Sequence, residues 1–206
     1  MKEIPVLFGT PMVRAILGGT KTQTRRLIKP QPLENTNGYL YKGAFWGFGE
    51  IVPQKMIQYA PYKPGDILWV RETWSDFYFE ESGYIYKADE DRVSEEFRWK
   101  PSIHMPREAA RIFLEVKSIR VERLQDIREK DARAEGIKSC LLHKEHGGEW
   151  CESNGPPFWG SDNIHSTRKK AFSELWDSLN AKRGYSWDST PWVWVIEFVR
   201  VGRRNK

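Results

Sequence analysis

Three long apolar runs constrain this chain most: ILWVRETW at 67–74, ARIFLEVKSIRVERL at 110–124 and PWVWVIEFVRV at 191–201. Their Ile, Val and aromatic residues suit a pleated, half-buried surface. Only two or three segments carry a helical period, and strands and helices do not alternate as they would in a series of βαβ units. That order predicts an α+β fold. Strands this long in one small chain suggest a closed or half-closed β-barrel with helices at its rim.

The remaining elements follow from local signals. IPVLF at 4–8 predicts a short buried strand. Thr10 is the expected N-cap of a helix with Pro11 at its first position, Met12, Val13, Ile16 and Leu17 on one face, and Gly18 and Gly19 as the stop. Residues 22–28 read as extended, up to the breaker KPQP at 29–32. The Gly- and aromatic-rich stretch after 33 predicts a hairpin, with Phe45, Trp46 and Phe48 packing on it. YKPGD at 62–66 is a turn, and FYFEESGYIYKAD within 75–105 reads as a second hairpin. LQDIREKDARAEGI at 124–137 has a helical period ending at Gly136. Residues 165–184 predict another helix, capped by Ser166 or Thr167, with Phe172, Leu175, Trp176 and Leu179 on one face. Trp192 and Trp194 share a face of the last strand and read as barrel wall.

Composition narrows the class. The 206 residues suit one domain carrying insertions, placed at about 31–60, 75–105 and 138–165. A 39% hydrophobic and 30% charged chain is globular rather than disordered. No stretch reaches the roughly 20 apolar residues of a membrane span, and no signal-peptide pattern opens the sequence. The expectation is a soluble, cytoplasmic protein without a membrane partner. A net charge of +5 and 10 Trp residues favour a nucleoside or nucleic-acid partner, RNA or DNA.

Two constellations carry candidate chemistry. CLLHKEHGGEWC at 140–151 holds both cysteines and two of the four histidines. Cys140, His143, His146 and Cys151 have the ligand types of a tetrahedral zinc site. Their spacing is not one of the common zinc patterns, so two reduced cysteines in a loop are the plainer reading, and no cofactor is required. The second constellation is GGTKTQTRR at 18–26, on its own a polar turn or the start of a solvated strand. Arg25 and Arg26 are candidate phosphate or base contacts. Alternation along a strand puts them on opposite faces, so one at most is expected to face a cleft. Arg71 and Glu72, at the end of ILWVRETW, are further candidate binding residues. Leu68 and Val70 put Glu72 on the core-directed face, where a charge must be paired or sit at a cavity mouth.

The order of motifs is more specific than any one of them. A short helix, GGTKTQTRR, the KPGD turn into a strand, DARAEGI and a final strand together resemble the ASCH domain family, in particular its phage and prophage members. The resemblance spans roughly residues 4–30, 62–75, 110–137 and 166–201. It implies a PUA-like β-barrel with flanking helices. It also implies nucleoside or nucleic-acid chemistry: some small bacterial ASCH proteins are amidohydrolases that deacylate N4-acetylcytidine, while others are RNA binders or similar to ribonucleases. In the amidohydrolases a Lys and a Thr of one segment act with a Glu beyond it, and the matching positions here are Lys21, Thr24 and Glu135.

Those residue types suit amide hydrolysis. A Thr hydroxyl becomes a nucleophile when a base lies beside it, and a Lys serves as that base when burial or neighbouring positive charge depresses its pKa. A carboxylate then activates water or protonates the leaving amine. One difficulty stands: in a strand, residues three apart point to opposite faces and lie roughly 10 Å apart. Lys21 and Thr24 can cooperate only where the backbone departs from a regular strand. A non-catalytic RNA- or DNA-binding module and a ribonuclease are the alternatives.

Overall fold

The computed structural model describes residues 1–35, 37–47, 55–76, 83–89, 98–137 and 168–203. In chain order the strands are β1 (Glu3–Leu7), β2 (Gln23–Leu27), β3 (Leu33–Asn35), β4 (Gly38–Tyr41), β5 (Ala44–Gly47), β6 (Ile67–Arg71), β7 (Trp74–Ser75), β8 (Ile85–Tyr86), β9 (Phe113–Arg123) and β10 (Trp192–Val201). The helices are α1 (Thr10–Leu17), α2 (Glu129–Ala134) and α3 (Arg168–Asn180). The fold is α+β and dominated by sheet. Among the described residues no helix is long and apolar enough to cross a membrane.

The main sheet has five strands in the order β1-β6-β9-β10-β2. β1 runs parallel to β6, and every other neighbour is antiparallel. β10 lies between β9 and β2, and its period of two buries both faces. Trp192, Trp194, Ile196 and Phe198 join a core with Val6, Leu68, Leu114 and Val121. Val193 and Val195 point the other way, into a second core with Phe172 and Trp176 of α3 and Ala132 of α2. The long apolar run therefore forms an interior strand between two layers, and the shared face of Trp192 and Trp194 is as expected.

Among the described residues the sheet does not close into a barrel: β1 and β2 are its edges, and no ladder joins them. A side chain occupies the gap instead: Arg26 of β2 donates from Nη2 to the Leu7 carbonyl of β1 at 2.8 Å, with its guanidinium 5.1 Å from the Phe8 ring centroid. Closure needs backbone hydrogen bonds all the way round; a guanidinium set between the edges keeps them at side-chain distance.

Several local expectations shift. Gly9, not Thr10, is the N-cap of α1, and no side chain caps that helix. The run 67–74 breaks at Glu72 into β6 and β7, the latter pairing with β8. The segment 33–47 forms a three-stranded meander, and Phe45 on it is 52% exposed rather than packed, while Phe48 lies outside the described residues. Helix replaces only part of 124–137. The Leu124 amide bonds the Pro191 carbonyl at 3.0 Å, which extends the pairing of β9 with β10 past the end of the strand. The chain then makes a 3-10 turn, and α2 begins at Glu129.

Ser166 and Thr167, the expected caps of α3, lie outside the described residues. Glu129 of α2 supplies acceptors there: its carboxylate takes the amides of Arg168 and Lys169 at 3.0 and 3.1 Å. A carboxylate at a helix N-terminus satisfies orphan amides and opposes the helix dipole. It also ties the two helices that flank the candidate site.

Candidate functional site

The segment between α1 and β2 positions the site. Gly18 ends the helix, and Gly19 takes the left-handed conformation at φ 72°. The amides of Thr20 and Lys21 both return to the Ala15 carbonyl, at 2.9 and 3.0 Å. Thr22 then bonds the Ala134 carbonyl at 2.8 Å, so this stretch runs against the C-terminal end of α2. Lys21 and Glu135 form an isolated antiparallel bridge there. Lys21 thus precedes β2, which begins at Gln23, and strict strand alternation does not govern the Lys21–Thr24 pair.

Lys21 and Glu135 are 3% and 4% exposed. The Lys21 ammonium donates to Glu135 Oε2 at 2.8 Å and to the Glu135 backbone carbonyl at 2.9 Å. Burial holds the Lys21 pKa below its ordinary value; the Glu135 charge and hydrogen bond oppose this, and Arg26 and Arg25 add to it. Arg25 reaches the other Glu135 oxygen through Nη1 at 3.1 Å and Glu122 through Nη2 at 3.0 Å. Glu122 is in turn held by Arg120, which also pairs with Glu197 and Asp131. One buried carboxylate is therefore shared by two cations, backed by a network on the sheet.

Lys21, Thr24, Arg25, Arg26 and Glu135 all line one cavity of about 210 Å³. Its far wall is the apolar face of α3, Phe172, Leu175, Trp176 and Leu179, with Asn180 and Arg183 beyond it. Thr24 is 4% exposed, and its hydroxyl makes no hydrogen bond among the described residues. Thr24 and Arg26 share the sheet face of their partners Ile196 and Trp194, while Arg25 shares the face of Val195. Sequence reasoning allowed only one of the two arginines into the cleft. Both line it, from opposite faces of β2 at the edge of the sheet.

Arg71 and Glu72 do not line this cavity. Arg71 donates from Nε to the Met105 carbonyl at 3.0 Å and stacks on Trp69. Glu72 is 1% exposed, as its core-directed face predicts, and makes two hydrogen bonds to Arg111, both at 3.0 Å. Arg111 also pairs with Asp89 and lies over the Tyr86 ring. Burial pushes the Glu72 carboxyl above the usual range, against the hydrogen bonds from Arg111. Cys140, His143, His146 and Cys151 lie outside the described residues, and among the described residues no His, Cys, Asp or Glu group is arranged to hold a metal.

Sequence reasoning missed Met12, Leu27, Asn180 and Arg183 as cavity residues, and read the α3 stripe only as one face of a helix. Its apolar period was visible; that part of it faces a cavity was not. Gly136, the stop expected after α2, has a second role. It sits at φ 93°, and a Cβ there would stand 2.9 Å from Ala15 Cβ and 3.2 Å from Lys21 Cβ. Gly136→Ala is expected to cost about 1–3 kcal/mol from the disfavoured backbone conformation alone, measured as a shift in the urea unfolding midpoint. The added methyl also crowds Lys21, the partner of Glu135.

No family model, no curated protein and no solved structure matches this chain.

Proposed function

We propose that this cavity is the active site of an ASCH-type amidohydrolase acting on an N4-acylated cytosine nucleoside. The observation that carries the reading is the convergence of Lys21, Thr24 and Glu135 on one small cavity, with the lysine buried and its pKa depressed. An open basic groove lined by exposed aromatics would instead have favoured the nucleic-acid-binding alternative. The cavity, at about 210 Å³, suits a small ligand rather than a polymer.

In this reading Thr24 Oγ1 attacks the acyl carbon while Lys21, in the deprotonated fraction that burial favours, takes the hydroxyl proton. The tetrahedral oxyanion forms in the positive field of Arg25 and Arg26. Collapse breaks the C–N bond, and the Lys21 ammonium returns its proton to the departing cytosine amine. Water then attacks the acyl-threonine ester and gives its proton to Glu135. The C–O bond breaks, and Glu135 passes that proton to the Thr24 oxygen. The sum is one amide plus one water giving one amine and one carboxylic acid.

The test is release of cytidine from N4-acetylcytidine. Wild-type protein is expected to release it; Lys21→Ala and Thr24→Ala, each checked for native fold by circular dichroism, are expected to lose that release. No release by folded wild-type protein removes this substrate. Undiminished release by the variants removes the catalytic assignment.

A further inference from the structure

We propose that the cavity is built for an anionic ligand, a nucleoside 5′-monophosphate rather than a neutral nucleoside. This rests on reading the cavity as a nucleoside pocket and names its substrate class. The argument is one of charge. Four cationic side chains line the cavity, Lys21, Arg25, Arg26 and Arg183, against one carboxylate, Glu135. Glu135 is divided between Lys21 and Arg25, and Glu122 completes Arg25. Arg26 and Arg183 are left with no carboxylate partner among the described residues.

For Arg26 this is costly. It makes one hydrogen bond, to the Leu7 carbonyl, and its Nε is shielded from solvent with no acceptor. An unmatched guanidinium in a shielded site is unfavourable until an anion joins it. The planar fork of Arg donors fits phosphate oxygens two at a time. Burial also lowers the Arg26 pKa, against the opposing charges of Tyr62 and Glu135, neither of which makes a direct hydrogen-bond contact with it among the described residues.

The shape agrees. The Arg25 guanidinium lies 5.9 Å from the Phe172 ring centroid, and Arg25 is bonded to Glu135. Asn180 lies eight residues beyond Phe172 along α3, about 12 Å at the helical rise. Arg183, exposed and just beyond it in the chain, also lines the cavity. The wall is long enough to separate a base from a phosphate carried on its sugar. A neutral nucleoside would leave the arginines unmatched.

Calorimetric titration of the whole protein tests this with the four common nucleoside 5′-monophosphates, the four parent nucleosides, inorganic phosphate and a trinucleotide. At least one monophosphate is expected to bind about tenfold or more tighter than its nucleoside, with an advantage that shrinks as salt rises. Arg183→Gln, at an exposed position where the fold tolerates change, is expected to bring that monophosphate down toward its nucleoside. The proposal is overturned if no monophosphate binds better than its nucleoside. It is also overturned if inorganic phosphate binds as tightly as every monophosphate, or if the trinucleotide binds more tightly than any of them. Binding and turnover separate the two readings. Preference for a monophosphate without cytidine release removes the hydrolase and keeps the anionic pocket; release without that preference does the reverse.

Discussion

Replacing Glu135 with Ala is expected to destabilise the protein by about 3–5 kcal/mol, the usual cost of removing one member of a buried ion pair. Glu135 holds two cations at once, Lys21 and Arg25, both with side chains almost wholly inaccessible. Arg25 keeps Glu122; Lys21 keeps only a backbone carbonyl. Losing the carboxylate removes the influences that raise the Lys21 pKa and leaves burial, which lowers it. The deficit is therefore pH-dependent. With a folded-state pKa below the unfolded value, the unfolded chain binds more protons between the two, so stability rises with pH across that window. Urea unfolding should show Glu135→Ala recovering part of its loss as pH climbs toward the ordinary lysine value. A deficit that does not change with pH would mean that Lys21 is not left as a stranded cation. The double variant Lys21→Met, Glu135→Gln should lose less than the sum of its single changes, because it removes both halves of the pair.

The second large effect lies outside the cavity. Arg111→Met is expected to cost about 3–5 kcal/mol by leaving Glu72 buried without its two hydrogen bonds. The pH dependence has the opposite sign to that of Lys21. Burial already raises the Glu72 pKa, and Arg111 is the group that opposes it. Without Arg111 the folded carboxyl holds its proton more tightly than the unfolded one, so stability falls as pH rises through the interval between the two values. The variant's deficit should thus be larger at about pH 8 than at about pH 5, measured by urea unfolding at both. Glu72→Gln in the same background should narrow the difference, since the amide carries no charge to strand. Cavity function should be unaffected, because neither residue lines it.

The α3 stripe illustrates how far a local period reaches. The spacing of Phe172, Leu175, Trp176 and Leu179 specifies a helix with one apolar face. The same spacing serves a face packed on a sheet and a face set across a cavity. In the structure it does both: Phe172 and Trp176 are buried in a core cluster and also line the cavity, while Leu179 is 49% exposed at its rim. ILWVRETW was harder to read. Its residue types favour a strand throughout, but the bond between Glu72 and Arg111, 39 positions away, accompanies a break in mid-run.

What the sequence by itself determined is local: the strands around 67–71, 113–123 and 192–201, the helices begun by Pro11 and marked by the 172–179 stripe, and the turn glycines at 19 and 136. Residue type and period act over a few positions, and that is enough to specify such elements. Only the tertiary structure decided that the sheet stays open, that both Arg25 and Arg26 line the cavity, and that Glu129 caps a helix 39 residues away. The family resemblance already grouped Lys21 with Glu135; the structure added their direct contact across 114 positions. These outcomes depend on which strand is left at an edge and on which buried charges must find partners. Such matters are settled between elements, after the local ones have formed.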